Sequence, residues 1–226
     1  MSAHPTHPEP PRQPERRLRR LSTPRAAALA GLVFAGLFAG VIVLLRTSLR
    51  GAADGSVEIP GAYAGRLHIA VLLMPFAGIA FLWFLGVIRD RLGEFEDRFF
   101  ASVMFGSGLL FLAMLFTATA LATGIRTVAT GVVDPMERTV AGFGHQVMLQ
   151  ISSVYALRMA GVFMISLGTI WYRTGLMPRW LVIVTYTAAL VLLLIVSISV
   201  WITLLFPAWV ALVSVLILIA STRHPR

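Results

Sequence analysis

Between residues 180 and 220 the chain carries no charged side chain. One bilayer crossing takes about 20 mostly apolar residues, so this run has the length of two. Pro207 stands near the start of the second, where a missing backbone N–H costs a helix little. Four more apolar stretches come before it, at about 26–45, 67–88, 99–123 and 147–172. In hydrocarbon a backbone has to satisfy its own hydrogen bonds, and single segments of this length do so as helices. The expected fold is therefore all-α: a polytopic helical membrane bundle of six transmembrane helices. The last two fall at about 181–200 and 205–221, and one transmembrane domain covers 26–222. Composition agrees. The chain is 58% hydrophobic and 13% charged, with mean hydropathy +0.83, whereas soluble domains carry about 25% charged residues.

Residues 1–25 are rich in Pro and Arg and offer almost nothing apolar to bury, so a disordered cytoplasmic tail is expected there. The pairs Arg16-Arg17 and Arg19-Arg20 resemble a twin-arginine export signal. The apolar run behind them is longer than a signal core and leads to no convincing cleavage site, so it reads as a retained first span.

Orientation follows from the arginines. With six spans and a cytoplasmic N-terminus, thirteen of the 19 basic residues fall on the cytoplasmic side. Five lie outside: Arg46, Arg50, Arg66, Arg126 and Arg138. Basic residues favour the cytoplasmic side of short loops, so both chain ends are expected inside, at a bacterial inner membrane. The net charge of +9 serves topology and anionic lipid. No basic face with interleaved aromatics appears, so nucleic acid is not an expected partner.

Several chemistries are excluded. There is no Lys, hence no Schiff-base lysine and no P-loop. There is no Cys, hence no disulfide, iron–sulfur cluster or thiolate-ligated zinc. No nucleophile elbow, His-Glu-x-x-His sequence or pair of intramembrane acids is present, so an enzyme reading has no positive support.

Small residues mark close helix contacts. Ala27, Gly31, Ala35 and Ala39 recur every fourth residue, with Gly36 and Gly40 forming a G-x-x-x-G beside them. The face reads as packing within the bundle, with a homodimer contact as the alternative. Pro75, midway along the second span, predicts a kink, because it removes a donor and crowds the carbonyl of Val71.

The charge that stands out is Arg158, inside the fourth span; every other Arg lies in a tail, a loop or a segment end. An intramembrane charge is costly and needs a partner or a purpose. At about 1.5 Å per residue it sits roughly 20 Å from the aromatic pair Trp171-Tyr172, well inside a hydrocarbon core of about 30 Å. No span contains Asp or Glu. The candidate partners are the Val71 carbonyl, the hydroxyls of Thr117 and Thr119, and Glu137. Arg158 reads either as a hydrogen-bonded strut or as the centre of an outward polar vestibule. Gln150, Gln146 and His145 on the same span, and His68 at the outer end of the second, are its candidate lining. No cofactor is expected; a haem or metal held by His68 and His145 is the minor alternative.

The segments RLHIAVLLMPFAGIAFLWFLGVIRDRLGEFEDRFFASVMFGSGLLFLAMLF and YALRMAGVFMISLGTIWYRTGLMPRWL resemble those of a group of small actinobacterial six-span integral membrane proteins of unassigned function. That resemblance implies a six-span bundle in a high-GC bacterium and carries over no site residue. The leading expectation is a non-enzymatic accessory or scaffold component in contact with the lipid bilayer, as a homo-oligomer or beside another membrane protein. The alternatives are a small transporter or sensor working through the Arg158 vestibule, and a membrane enzyme acting on lipid.

Overall fold

The computed structural model describes residues 23–49, 61–92, 98–129, 135–194 and 200–223. Among these the chain is all-helical, without a strand. The elements are α1 (Thr23–Leu49), α2 (Gly61–Leu92), α3 (Arg98–Ala129), α4 (Pro135–Gln150), α5 (Ala156–Thr174), α6 (Arg179–Leu194) and α7 (Leu205–Arg223). A π-helical turn (Ile151–Tyr155) joins α4 to α5, and a 3-10 segment (Val200–Leu204) leads into α7.

Neighbouring helices run antiparallel, as pairs of contacts along them show. An added Cβ on Gly78 of α2 would meet Phe116 and Leu112, and one on Gly108 of α3 would meet Leu85, so α2 descends where α3 rises. Gly161 faces Ala189 and Leu193, while Gly168 faces Thr185, which sets α5 against α6 in the same way. Six rods result, with α4, the π turn and α5 counting as one.

The rods meet in a cluster of phenylalanines. Phe34 of α1, Phe81 of α2, Phe111 of α3, Phe163 of α5 and Phe206 of α7 are each fully buried or nearly so. Ring centroids lie 4.8 Å apart for Phe34–Phe81 and for Phe111–Phe206, and 5.3 Å apart for Phe81–Phe111. Tilted and edge-on pairs of this kind add attraction beyond area burial. α6 joins through polar links. The Trp209 indole N–H donates to Thr185 Oγ1 at 2.9 Å, both residues being buried, and the Thr169 and Tyr186 hydroxyls pair at 2.8 Å.

The outside is as apolar as the inside. Leu29, Trp83, Phe76, Phe99, Ile183 and Leu194 are all well exposed, on four different helices. Soluble monomers do not spread apolar surface this widely. Among the described residues, five helices are long and apolar enough to cross a membrane, α4 to α5 counting as one. The described part of α6, 16 residues up to Leu194, is about 24 Å long against a hydrocarbon core of about 30 Å; residues 195–199 lie outside the described residues.

The helices extend past the expected spans. Much of 124–144, expected as an outer loop, is helix: α3 continues to Ala129 and α4 begins at Pro135. α2 runs unbroken through Pro75, which is exposed on its outer side. Pro207 occupies the first turn of α7, as expected. The expected tail up to residue 22, and residues 93–97 between α2 and α3, lie outside the described residues.

The small-residue face of α1 divides in two. Gly31 is buried, and a Cβ there would strike Ser214 Oγ of α7 and lie 2.8 Å from Phe84 Cδ2. Gly36 and Gly40 have nothing within 4 Å of such a Cβ. Ala27 and Ala35 are buried, and Ala39 is half-buried. Gly31 therefore serves packing within the bundle, while Gly36 faces outward.

Candidate functional site

The long rod carrying Arg158 is not a uniform helix. At Ile151–Tyr155 its bonding widens: the Ala156 N–H reaches back to the Ile151 carbonyl, five residues away. Ser152 Oγ donates to the Met148 carbonyl at 2.7 Å, so a side chain enters the hydrogen-bond ladder where it changes pitch. Serine hydroxyls bonded back in this way loosen the ladder, and single π turns concentrate at functional positions. Sequence periodicity at constant pitch misses the turn; the Ser152-Ser153 pair was its one visible trace.

The turn sets which residues share a face. At about 100° per residue, Arg158 would sit about 80° around from Gln150 in a regular helix. One surplus residue in the turn brings it back to within about 20°. Burial follows that register. Phe143, Gln146 and Gln150 are exposed before the turn, and Tyr155 at its end, followed by half-buried Arg158, Val162 and Ile165. The opposite stripe, Ala141 and Met148 and then Ala156, Ala160, Phe163, Leu167 and Ile170, is buried. α3 packs against both α4 and α5, and α6 against α5, where it meets Gly161, Gly168 and Thr169.

Arg158 thus stands on the peripheral stripe, with Nε buried and without a hydrogen-bond partner. The expected partners do not supply one. Thr117 and Thr119 donate to the Ala113 and Leu115 carbonyls of their own helix, at 2.9 and 2.8 Å. Glu137 is 21 residues up the rod, about 30 Å away, and is engaged elsewhere. His145 is half-buried, and its Nε2 is also buried without a partner. It lies roughly 20 Å from Arg158 along the axis. His68 is exposed on α2 and has a partner of its own. α2 packs on α1 and α3 and makes no extensive contact with α4.

Of the expected vestibule, then, Gln146, Gln150 and Arg158 share one stripe, His145 is set inward from it, and His68 belongs to another rod. No group of three or more metal-ligating side chains occurs among the described residues. The arrangement can do one thing chemically: present a guanidinium, with two carboxamides about 10 and 16 Å further up the same stripe, to whatever lies beside the rod. The bundle is that of a helical membrane protein. Compared with known protein families, with curated proteins and with solved structures, the chain matches none.

Proposed function

We propose that this chain is a six-span, non-enzymatic accessory or scaffold component of a bacterial inner membrane. In this reading both ends are cytoplasmic, the source is of the actinobacterial kind its segments resemble, and the protein docks laterally on another membrane protein. One observation carries the reading: Arg158 is on the peripheral stripe with Nε buried and unpaired. A centrally placed Arg costs a membrane helix about 2.5–3.5 kcal/mol, so a partner that satisfies it gains correspondingly. The spans of this chain contain no Asp or Glu, so a second copy brings no carboxylate to that depth. The complement is a helix of a different membrane protein, with a carboxylate level with Arg158 and acceptors level with Gln150 and Gln146.

A photo-crosslinking residue at position 150, used in cell membranes, tests this. The wild-type background is expected to give one adduct of defined mass, and Arg158→Leu should lose it while keeping its thermal stability. A lone monomer in both backgrounds, with a matching monomer mass in native detergent, would end the scaffold reading.

A second reading has its own support. His145 Nε2 and Arg158 Nε are both buried and unpaired on one rod, as groups along a polar solute path are. In a small transporter or sensor of this kind, Arg158→Ala abolishes uptake of small anions into proteoliposomes. Unchanged uptake in that variant removes Arg158 from the role.

A further inference from the structure

We propose, resting on the docking reading above, that the docking surface continues out of the bilayer along α4. There an apolar stripe of Met136, Val140 and Phe143 takes an extracytoplasmic helix of the same membrane-protein partner. Arg158 lies about 10 Å below the outer face of the hydrocarbon, and α4 climbs away from it at about 1.5 Å per residue. Phe143, Val140 and Met136 then stand roughly 10, 15 and 20 Å beyond that face, whereas headgroups fill only about 5–8 Å of the distance. A tilt of about 20° shortens these heights by only about 6%. Lipid chains do not reach the stripe.

Burial divides α4 by face. Ala141 and Met148 are buried, Met148 against Ala118 and Ala122 of α3, and a Cβ on Gly144 would touch Ile125 of the same helix at 3.4 Å. The other face is open: Met136, Val140 and Phe143 are 70%, 57% and 72% exposed. At about 100° per residue these three and Gln150 fall within roughly 80° of one another, and the surplus residue of the π turn brings Arg158 to within about 20° of Gln150. One stripe thus runs from a guanidinium inside the hydrocarbon, past two carboxamides near its outer face, to three apolar side chains in water. Single apolar side chains on a wet surface are ordinary, but three gathered on one helix face mark a contact. The lower end of the stripe says what makes it. The buried, unpaired Nε of Arg158 calls for an acceptor at its own depth, and the spans of this chain hold no Asp or Glu for a second copy to bring. A helix of another protein, held there by a carboxylate and continuing along α4, meets the upper stripe with apolar side chains of its own at one-turn spacing.

The chain has no Cys, so Val140→Cys places a single thiol on the stripe. Gly65→Cys, at the outer end of α2, is the reference: Gly65 is exposed, with nothing within 4 Å of an added Cβ. The measurement is the rate of labelling by a membrane-impermeant maleimide, taken as the ratio of the two positions. It is made in right-side-out vesicles of native membrane, and in the purified protein reconstituted alone into phosphatidylglycerol–phosphatidylethanolamine vesicles. In native membrane Val140→Cys is expected to react about tenfold more slowly than the reference, as for a stripe covered about nine-tenths of the time. Adding Arg158→Leu should restore equal rates, and the reconstituted protein should react freely with either residue at 158. Free reaction of Val140→Cys in native membrane overturns the proposal, and the adduct at position 150 then decides the docking reading by itself; if that adduct is missing too, both fall. Protection that survives Arg158→Leu means a different occupant. Protection in the reconstituted protein means lipid, a second copy or another part of this chain. Either result overturns the proposal.

Discussion

Replacing Gly31 by alanine adds one methyl group where two helices already touch. That methyl would collide with Ser214 Oγ and press on Phe84, which is itself fully buried. Overpacking of this kind costs about 1–3 kcal/mol. Alanine also favours the helix over glycine by up to about 1 kcal/mol, which blurs the single measurement. Gly36→Ala supplies the reference: same helix, same chemical change, and nothing within 4 Å of the new methyl. The difference between the two variants isolates the collision. For a chain of this size about 1–3 kcal/mol corresponds to roughly 2–12 °C in Tm, with Gly31→Ala the lower. Ser214 offers a further check. Its hydroxyl is buried without a hydrogen-bond partner, so Ser214→Ala should be neutral or mildly stabilising. Combined with Gly31→Ala it should recover part of the loss, since residues in contact couple. Phe84 still crowds the site, so recovery is incomplete. Thermal unfolding of the four proteins in one detergent measures the cycle. Equal Tm values for Gly31→Ala and Gly36→Ala would refute the packing of α1 against α7 described above.

Three further outcomes are expected. Thr185→Val keeps the shape of the side chain but strands the buried Trp209 N–H; it should cost about 1 kcal/mol in unfolding assays, while Thr185→Ser, which retains the acceptor, costs less. A reporter fused after residue 226 should read out on the cytoplasmic side; a signal from the opposite side would break the six-span, ends-inside topology. Purified protein should show no Soret band, and a band that disappears in His145→Ala would install a haem there.

The rods themselves were legible, because a bilayer imposes one simple requirement: enough apolar residues to cross it. The runs around Phe34, Phe81 and Phe111 meet it without ambiguity. Helix ends were less legible. Residues 124–129 and 135–144 carry Gly, Arg, Glu and Pro, which in isolation signal a loop, yet the described part of each continues its helix. Such ends lie beyond the hydrocarbon, where polar side chains on a helix cost little. Gly31 and Gly36 looked alike in sequence, and only the positions of Ser214 and Phe84 separate them. Arg158 was visible as an anomaly, but its face was not, because a fixed pitch cannot anticipate the turn at Ile151–Tyr155.

The turn at Ile151–Tyr155 makes the rod a shaft with one surplus tooth. Deleting Ser153 would let the ladder close at uniform pitch while leaving everything from Ala156 onward on the face it has now, because the turn holds one residue more than a regular helix needs. Phe163 would stay in the aromatic cluster, and Arg158 on the stripe of Gln146 and Gln150. A deletion elsewhere in the rod would turn every following residue by about 100°, so this segment is the one place where the rod can lose a residue and keep its register.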